Sequence, residues 1–322
     1  MVGLLQSHRI CGINNLFFKN NFKKIVKIKD LSESLSNCQI EFKKIGGIFV
    51  SVEKGKFIEV KGVNTHYHED GQGEVVLLIH GSGPGVSAWA NWRLVFPLLS
   101  QHYHLYAPDV VGFGYTDRPE GIQYGIEVWA DHMIDFLETV GEKKVSVIGN
   151  SFGGAIALHM AKKRPDIINK LILMGSVGID HHIADGLDQV WGYEPSHENM
   201  KNLIKIFAYD KSMAENGDLV EMRYKSSIQP GFQESFSAMF PAPRQRHVSA
   251  MALTIDQLQE IKFPTLLIHG RDDEVIPLKE TSYRLALALP NAQLTVFPEC
   301  GHWVQIEKTN EFAAQVIDFL NR

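Results

Sequence analysis

The sequence has few cysteines, no long apolar run and no excess of basic residues, and each shortage excludes a class of protein. Cys11, Cys38 and Cys300 show neither the paired spacing of a disulfide framework nor that of a zinc site, which indicates a reducing compartment such as the cytoplasm. No apolar run reaches the ~18 residues that a membrane-spanning helix requires. A formal net charge of -5 argues against a nucleic-acid partner.

The composition is that of an ordinary globular protein, with 44% apolar and 21% charged residues in a chain of 322. That length is enough for one large α/β core with an insertion. Residues 1–46 differ from the rest because lysines stand among aromatic and aliphatic residues, without the arginine bias of a transit peptide or the apolar core of a secretory signal. We expect a basic, poorly ordered extension over 1–46, a core over 47–178 and 248–322, and an insertion over 179–247.

The stretch 145–159 predicts a buried strand that turns sharply into a helix, with Ser151 at the apex of the turn. Gly149 and Gly153 flank this serine, and glycine is needed there because a tight strand-to-helix turn leaves no room for a β-carbon. The helix ends at a run of lysine and arginine followed by Pro165. An ordinary glycine-rich turn could show the bare pattern, but the strand and helix around it favour a nucleophile elbow.

A second glycine-rich loop follows the apolar strand predicted over Val75–Ile79. The loop runs from His80 to Gly85, where backbone N–H groups can point at a developing oxyanion. A phosphate-binding loop is the alternative, but neither the GxxxxGK[ST] nor the GxGxxG spacing is present.

Around these two loops, strand and helix patterns alternate, which is typical of a parallel sheet with right-handed crossovers. An edge hairpin is predicted around Lys61 and Gly62, and a helix over 89–99. The pattern changes over 179–247, where aromatic-rich helical segments replace the strands; a connection of that length requires structure of its own, so we interpret it as a helical lid over the strand ends. The predicted fold is a mostly parallel eight-stranded α/β sheet with helices on both faces.

Two titratable residues follow the last two predicted strands, Asp273 and His302. With Ser151 they give the chain order serine, aspartate, histidine, which is the order of the α/β-hydrolase fold. Serine is a weak nucleophile until a base removes its proton, and an imidazole serves as that base only when a carboxylate fixes its tautomer. The sequence therefore predicts a catalytic triad at the carboxyl end of the sheet.

Other residues compete for two of these roles. Asp272 competes with Asp273, which is preferred because it lies three residues after Gly270 and four before Pro277. Three histidines compete with His302, namely His80, His159 and His269. The first and last of these stand at strand ends and are expected to be structural, and Asp109 is expected to brace a loop.

Five segments together resemble the meta-cleavage-product hydrolases: 80–93, 149–154, 186–193, 240–246 and 300–303. Within that family the sequence is most similar to the 2-hydroxymuconate semialdehyde hydrolases, and the resemblance covers 47–322. It implies cleavage of a carbon-carbon bond in the ring-fission product of catechol or an alkylcatechol, giving 2-hydroxypenta-2,4-dienoate and a small carboxylic acid. It also implies a small-molecule substrate, no metal or organic cofactor, and a homo-oligomer.

Carried over residue by residue, the resemblance implies Ser151 as nucleophile, Asp273 as the residue that orients the base, and His302 as acid and base. The implied oxyanion hole consists of the backbone N–H groups of Ser82 and Phe152. The residues at substrate-contacting positions are Asn91, Asn150, Arg223 and Trp303.

Some of these assignments have alternatives. Arg223 would bind the substrate carboxylate, for which a guanidinium is well suited, although it could also be a surface cation, and Arg244 or Arg246 could take its place. A serine carboxylesterase and a non-catalytic receptor are the alternative functions, because one fold supports many activities.

Overall fold

The structure is a computed structural model that describes residues 40–45, 48–53 and 55–322. The chain divides into two compact units, 1–54 and 55–322. In the first unit, β1 (Ile40–Ile45) and β2 (Ile48–Glu53) form an antiparallel hairpin, so the end of the predicted extension forms a strand. The rest of that extension, and the order predicted for it, lie outside the described residues.

The second unit contains an eight-stranded sheet with the order β10-β9-β8-β7-β5-β6-β4-β3. Its strands are β3 (Lys56–Val60), β4 (Val63–Asp70), β5 (Val75–Ile79), β6 (His104–Pro108), β7 (Val145–Asn150), β8 (Ile168–Met174), β9 (Thr265–Gly270) and β10 (Ala292–Phe297). Strand β4 pairs antiparallel with β3 and β6, and every other pair in this sheet is parallel. The predicted mostly parallel eight-stranded sheet is confirmed.

The sheet of the second unit has an apolar layer on each face, and the unit also contains helices. They are α1 (Ala88–Trp92), α2 (Phe96–Leu99), α3 (Ile126–Val140), α4 (Phe152–Lys163), α5 (Asp185–Trp191), α6 (His197–Phe207), α7 (Gly217–Ser227), α8 (Phe232–Met239), α9 (Gln245–Met251), α10 (Ile255–Glu260), α11 (Ser282–Ala288), α12 (Val304–Glu307) and α13 (Thr309–Leu320). Along β5, Leu77 and Ile79 belong to one apolar cluster and Val76 and Leu78 to another. Because successive side chains of a strand point to opposite faces, the sheet has an apolar layer on each side. No helix in the described part of the chain is both long enough and apolar enough to span a membrane.

Two local predictions around the sheet have different outcomes. The edge hairpin is confirmed: Lys61 and Gly62 take φ values of 46° and 88°, as a two-residue turn between β3 and β4 requires. The single helix predicted over 89–99 is wrong, because the chain forms α1 and α2 with a break between them. Pro97 lies in the first turn of α2, where its missing N–H does no harm, but it could not have continued α1.

Asp109, which follows β6, braces the loops beside the sheet as predicted. Its Oδ1 accepts from the backbone N–H of Ala88 at 2.6 Å, and its Oδ2 accepts from Tyr115 N–H at 2.8 Å and from His66 Nδ1 at 2.8 Å. Burial opposes ionisation of this carboxyl, but the hydrogen bond and charge of His66 outweigh it and hold the pKa of Asp109 below its usual range. One carboxylate thus fixes the start of α1 and the loop after β6.

Helices α5 to α9 all fall between β8 and β9, and we call this part of the chain the helical segment. Several of its apolar side chains, including Trp191 and Phe240, belong to the same apolar cluster as Phe152. Trp191 and Phe240 stack face to face, with ring centroids 4.3 Å apart and planes within 2°. The apolar side of the helical segment is therefore continuous with the core next to Ser151.

Candidate active site

Ser151 occupies the turn between β7 and α4 in a backbone conformation that is rare for a residue with a side chain, φ 54° and ψ -114°. A β-carbon on Gly149 would lie 2.4 Å from Gly153 O, and one on Gly153 would lie 2.3 Å from Ile79 O. Both glycines are therefore required by close packing of the backbone. The Ser151 N–H donates to Met174 O at 2.8 Å, which ties the turn to the end of β8.

His302 and Asp273 form a buried pair. The Nδ1 of His302 lies 2.7 Å from Asp273 Oδ2, while Asp273 Oδ1 accepts from the N–H groups of Val275 at 2.8 Å and Ile276 at 2.9 Å. Burial would raise the pKa of Asp273, but the charge of His302 and the hydrogen bonds from His269 and His302 hold this pKa well below its usual range. The ionised carboxylate makes Nδ1 the protonated nitrogen, so Nε2 can act as a base.

The competing residues have other partners. Asp272 pairs with the guanidinium of Arg271 at 3.3 Å, on the solvent side of the loop. Both ring nitrogens of His80 contact the backbone, at Gly81 O and Val110 N. His269 contacts Ser282 Oγ and Ile276 O, and its Nε2 also lies 3.3 Å from Asp273 Oδ2, so it supports the carboxylate that orients His302. His159 Nε2 lies 3.2 Å from Met251 O. These contacts indicate that the three histidines have a structural role.

The predicted nucleophile, carboxylate and base converge at the carboxyl end of β8. Gly175, the next residue, has φ 51°, and a β-carbon there would lie 3.2 Å from the His302 ring and 3.4 Å from Asp273 Oδ2. The residue before it accepts the Ser151 N–H. The structure thus brings together Ser151, Asp273 and His302, which come from the ends of three different strands.

Ser82 and Phe152, the predicted oxyanion-hole residues, both lie next to Ser151. A β-carbon on Gly81 would be 3.4 Å from Ser151 Cβ, which places the loop after β5 against the serine. Phe152 is the first residue of α4, so its N–H has no acceptor within the helix. The Ser82 hydroxyl accepts from Trp191 Nε1 at 2.9 Å and so connects this loop to the helical segment.

Asn91 and Asn150 form a buried amide pair beside the same loop. Asn91 Oδ1 accepts from Gly81 N–H at 3.2 Å and from Asn150 Nδ2 at 2.8 Å. A backbone N–H can only donate, so these contacts fix the orientation of both amides. Asn91 Nδ2 and Asn150 Oδ1 are left as a buried donor and acceptor that have no partner among the residues the structure describes. Each such group costs about 1–3 kcal/mol unless a ligand or water satisfies it.

Arg223 is a buried cation on α7, with 8% of its surface exposed, so the alternative of a surface cation is wrong. Its guanidinium carbon lies 5.3 Å from the centre of the Trp303 ring, which also places Trp303 at the site. The two rival arginines lie elsewhere: Arg244 pairs with Asp188 at 3.3 Å, and Arg246 is exposed and donates to a backbone carbonyl.

Three further residues at the site carry no sequence pattern that would identify them. Trp191 binds Ser82, the ring of Phe207 stacks on Trp303 at 4.9 Å and on His302 at 5.9 Å, and Glu307 binds the loop before His302. All three act through contacts between segments that are distant in the chain, Glu307 by accepting from backbone N–H groups of Tyr209 and Asp210 as well as Gly301. Only the three-dimensional structure reveals such contacts.

The fold and the site agree with a family model described as alpha/beta hydrolase fold, which matches residues 74–309. The chain is 51% identical to a 2-hydroxy-6-oxo-2,4-heptadienoate hydrolase of Pseudomonas putida, with 84% of this chain and 98% of that protein covered. It is 49% identical to a 2-hydroxymuconate semialdehyde hydrolase of Pseudomonas sp. strain CF600, over 84% of this chain and 95% of that protein. The chain belongs to the meta-cleavage-product hydrolases of the α/β-hydrolase fold.

A solved structure supports the same assignment. The meta-cleavage product hydrolase of Pseudomonas fluorescens IP01, solved as a mutant with bound acetates, superposes with a TM-score of 0.81. It is 49% identical in sequence, and the superposition covers 83% of this chain and 97% of that chain.

Proposed function

We propose that the protein hydrolyses a carbon-carbon bond in the meta-ring-fission product of catechol or an alkylcatechol, giving 2-hydroxypenta-2,4-dienoate and a small carboxylic acid. One observation carries this proposal: the buried pair of His302 and Asp273 lies beside the end of β8, and the same strand end accepts the Ser151 N–H. The relatives at 51% and 49% identity are named for substrates of this class.

The proposed reaction begins with a proton transfer. A carbanion is a poor leaving group unless a neighbouring carbonyl takes up its charge, so the dienol substrate must first become a ketone. His302 can carry that proton, because Asp273 fixes its tautomer. Ser151, or a water activated by His302, then attacks the other carbonyl, and the N–H groups of Ser82 and Phe152 stabilise the oxyanion. A retro-Claisen cleavage breaks the carbon-carbon bond, and the departing carbanion takes a proton from His302 to give the dienoate. Where water is the nucleophile the acid is released directly; where Ser151 is, a water activated by His302 then hydrolyses the acyl-enzyme.

The substrate-binding roles follow from the groups around the serine. Arg223 would bind the carboxylate of the substrate, because a guanidinium forms paired hydrogen bonds to a carboxylate and this one is buried beside the ring of Trp303, the residue after His302. The unpartnered donor of Asn91 and acceptor of Asn150 would bind the enol and carbonyl oxygens. Together these groups distinguish a charged dienoate from a neutral ester.

We further propose that the helical segment, which contains most of the predicted insertion over 179–247 and ends with α9 at Met251, acts as a lid. The hydrogen bond from Trp191 to Ser82 and the stack of Phe207 on His302 support this role, because both tie the segment to loops that carry site residues. A lid would exclude water during ketonisation. A homo-oligomeric state and a cytoplasmic location belong to the same proposal.

The test of the function is the decay of the yellow catechol ring-fission product after addition of the purified protein. We expect rapid loss of its visible absorbance with release of one acid per molecule cleaved. An aryl ester serves as the comparison substrate. Turnover of the ester without turnover of the ring-fission product would identify a serine carboxylesterase instead, and turnover of neither would favour a non-catalytic receptor.

Substitution of Arg223 is expected to change substrate preference. Arg223→Lys, and more strongly Arg223→Gln, should lower kcat/KM for the dienoate by about tenfold or more, because the carboxylate loses a bidentate partner worth about 1.5–3 kcal/mol. The rate with a neutral aryl ester should change little. Steady-state kinetics on both substrates give the comparison, with Arg246→Gln as the exposed control. Equal losses on both substrates would indicate structural damage rather than lost recognition.

The group on the attacked carbonyl should be small. We expect the ring-fission products of catechol and methylcatechols to be cleaved with higher kcat/KM than the phenyl-substituted product of biphenyl. The named substrates of the two relatives carry hydrogen or methyl at this position, and an apolar pocket discriminates each methylene by about 1–3 kcal/mol. A preference of about tenfold or more for the phenyl compound would contradict this prediction and leave the catalytic assignment untouched.

A further inference from the structure

The loop that carries His302 is in direct backbone contact with the end of helix α6. The His302 N–H donates to Phe207 O at 2.7 Å. A β-carbon on Gly301 would lie 2.5 Å from Phe207 O and 2.8 Å from Tyr209 N, so no side chain fits between the two segments. The position of His302 therefore depends on how tightly residues 207–210 hold its loop.

A single carboxylate, that of Glu307, binds backbone N–H groups on both sides of this contact. Glu307 Oε2 accepts from Gly301 N–H at 2.8 Å. Its Oε1 accepts from Tyr209 N–H at 2.7 Å and from Asp210 N–H at 3.2 Å. Hydrogen bonds to an ionised acceptor are roughly twice as strong as neutral ones, so Glu307 connects the two segments firmly.

We propose that Glu307 is a positioning residue, which holds the loop before His302 against the end of α6 and so sets the place of the imidazole between Ser151 and Asp273. The inference rests on the proposed role of His302 as the base. Glu307 acts on the imidazole through backbone N–H groups, that of Gly301 in the loop before His302 and those of Tyr209 and Asp210 after α6. A shift of about 1 Å in a base can cost about a hundredfold in rate, so a modest loosening of this loop has a large effect.

The contacts require a carboxylate rather than an amide. In Glu307→Gln, one of the two oxygens becomes an NH₂ group, which cannot accept a hydrogen bond. Either Gly301 N–H or the pair at Tyr209 and Asp210 then faces a donor. Glu307→Gln therefore keeps the shape of the side chain and breaks one side of the connection, whereas Glu307→Ala breaks both.

The experiment measures activation of the serine without the natural substrate. A fluorophosphonate reacts with Ser151 as its Oγ bonds to phosphorus, fluoride leaves, and the hydroxyl proton passes to His302. We compare the second-order labelling rate of the full-length wild type with those of Glu307→Gln, Glu307→Ala and the control Glu311→Gln. Glu311 is an exposed acid in the first turn of α13 and accepts no hydrogen bond from the described residues.

For the Glu307 variants we expect a labelling rate about tenfold to a hundredfold below that of the wild type, and for Glu311→Gln a rate within about threefold of it. Kinetics with the ring-fission product should show the loss in kcat with little change in KM, because Glu307 makes no substrate contact in the proposal. Proton NMR adds a direct readout: the low-field signal of the Nδ1–H between His302 and Asp273 should shift or broaden in the Glu307 variants alone.

Labelling of both folded Glu307 variants at the wild-type rate, with an unchanged low-field signal, would overturn the proposal. All rates are taken well below each variant's unfolding midpoint, and the conservative Glu307→Gln gives the decisive value if Glu307→Ala is unstable. Failure of the proposed function would give a different result: the wild type would be labelled rapidly but would leave the ring-fission product intact. That result would refute the proposed substrate, while the labelling rates of the variants would still decide the role of Glu307.

Discussion

Ser151→Ala is expected to lose nearly all cleavage of the ring-fission product while the fold is kept. Removing the nucleophile of a serine triad lowers kcat by about 10⁶-fold in the best-studied cases. Alanine removes only the hydroxyl and can take the backbone conformation that Ser151 already holds, so the thermal midpoint should change little. Loss of the yellow absorbance, followed under single-turnover conditions, measures the effect.

The two halves of the reaction should separate in this variant. Ketonisation needs His302 but not the Ser151 hydroxyl, so an early spectral change should persist while release of the acid stops. His159→Gln is a suitable control, because His159 is a buried histidine outside the predicted triad that contacts Met251 O. Cleavage by Ser151→Ala at the wild-type rate would remove the serine from the mechanism.

The second large effect is expected at the pair of aspartates after β9. Asp273→Asn should lower kcat by about 10⁴-fold, because an amide in place of the carboxylate no longer holds the His302 tautomer with Nδ1 protonated. Asp272→Asn should cost less than about tenfold, since Asp272 pairs with Arg271 on the solvent side. The two variants differ by one position and remove the same charge, so each is the control for the other.

Steady-state kinetics at several pH values give this comparison. Burial opposes ionisation of Asp273, but the charges and hydrogen bonds of His302 and His269 outweigh it and keep its pKa depressed, so the carboxylate stays ionised below the usual titration range of an aspartate. Its stabilising contribution is present above the unfolded pKa of an aspartate and is lost only as pH falls through the lower folded value. A larger loss in Asp272→Asn than in Asp273→Asn would refute the assignment.

The fold could be predicted from the sequence because its signals are local. A continuous apolar run such as Val75–Ile79 identifies a strand covered on both faces, and the glycines around Ser151 identify a turn whose backbone packing excludes a β-carbon. The break between α1 and α2 was missed because the apolar pattern runs through it. Pro97 is compatible with the first turn of a helix, so it does not by itself show that one helix ends and another begins before it.

The site could be predicted only in part. The spacing from Gly270 and Pro277 favours Asp273 over Asp272, and the structure pairs Asp273 with His302. The burial of Arg223 and the unpartnered groups of the two asparagines depend on how α7 and α1 pack, which no periodicity encodes. The role of Trp191 rests on a contact with Ser82, which is far away in the chain, and that of Glu307 on three backbone N–H groups, so no local sequence pattern indicates either.

The convergence of three strand ends at Gly175 has a consequence for biosynthesis and refolding. Ser151 is held by the end of β8, but Asp273 follows β9, and His302 follows β10, the outermost strand on that side of the sheet. A nascent chain or a refolding intermediate in which β9 and β10 have not yet docked would contain a serine without a base. Such a species would bind apolar molecules through its exposed sheet, but its Ser151 would not react with substrate. Reactivity towards a fluorophosphonate therefore reports completion of this edge of the sheet, which optical probes of helix content would not resolve.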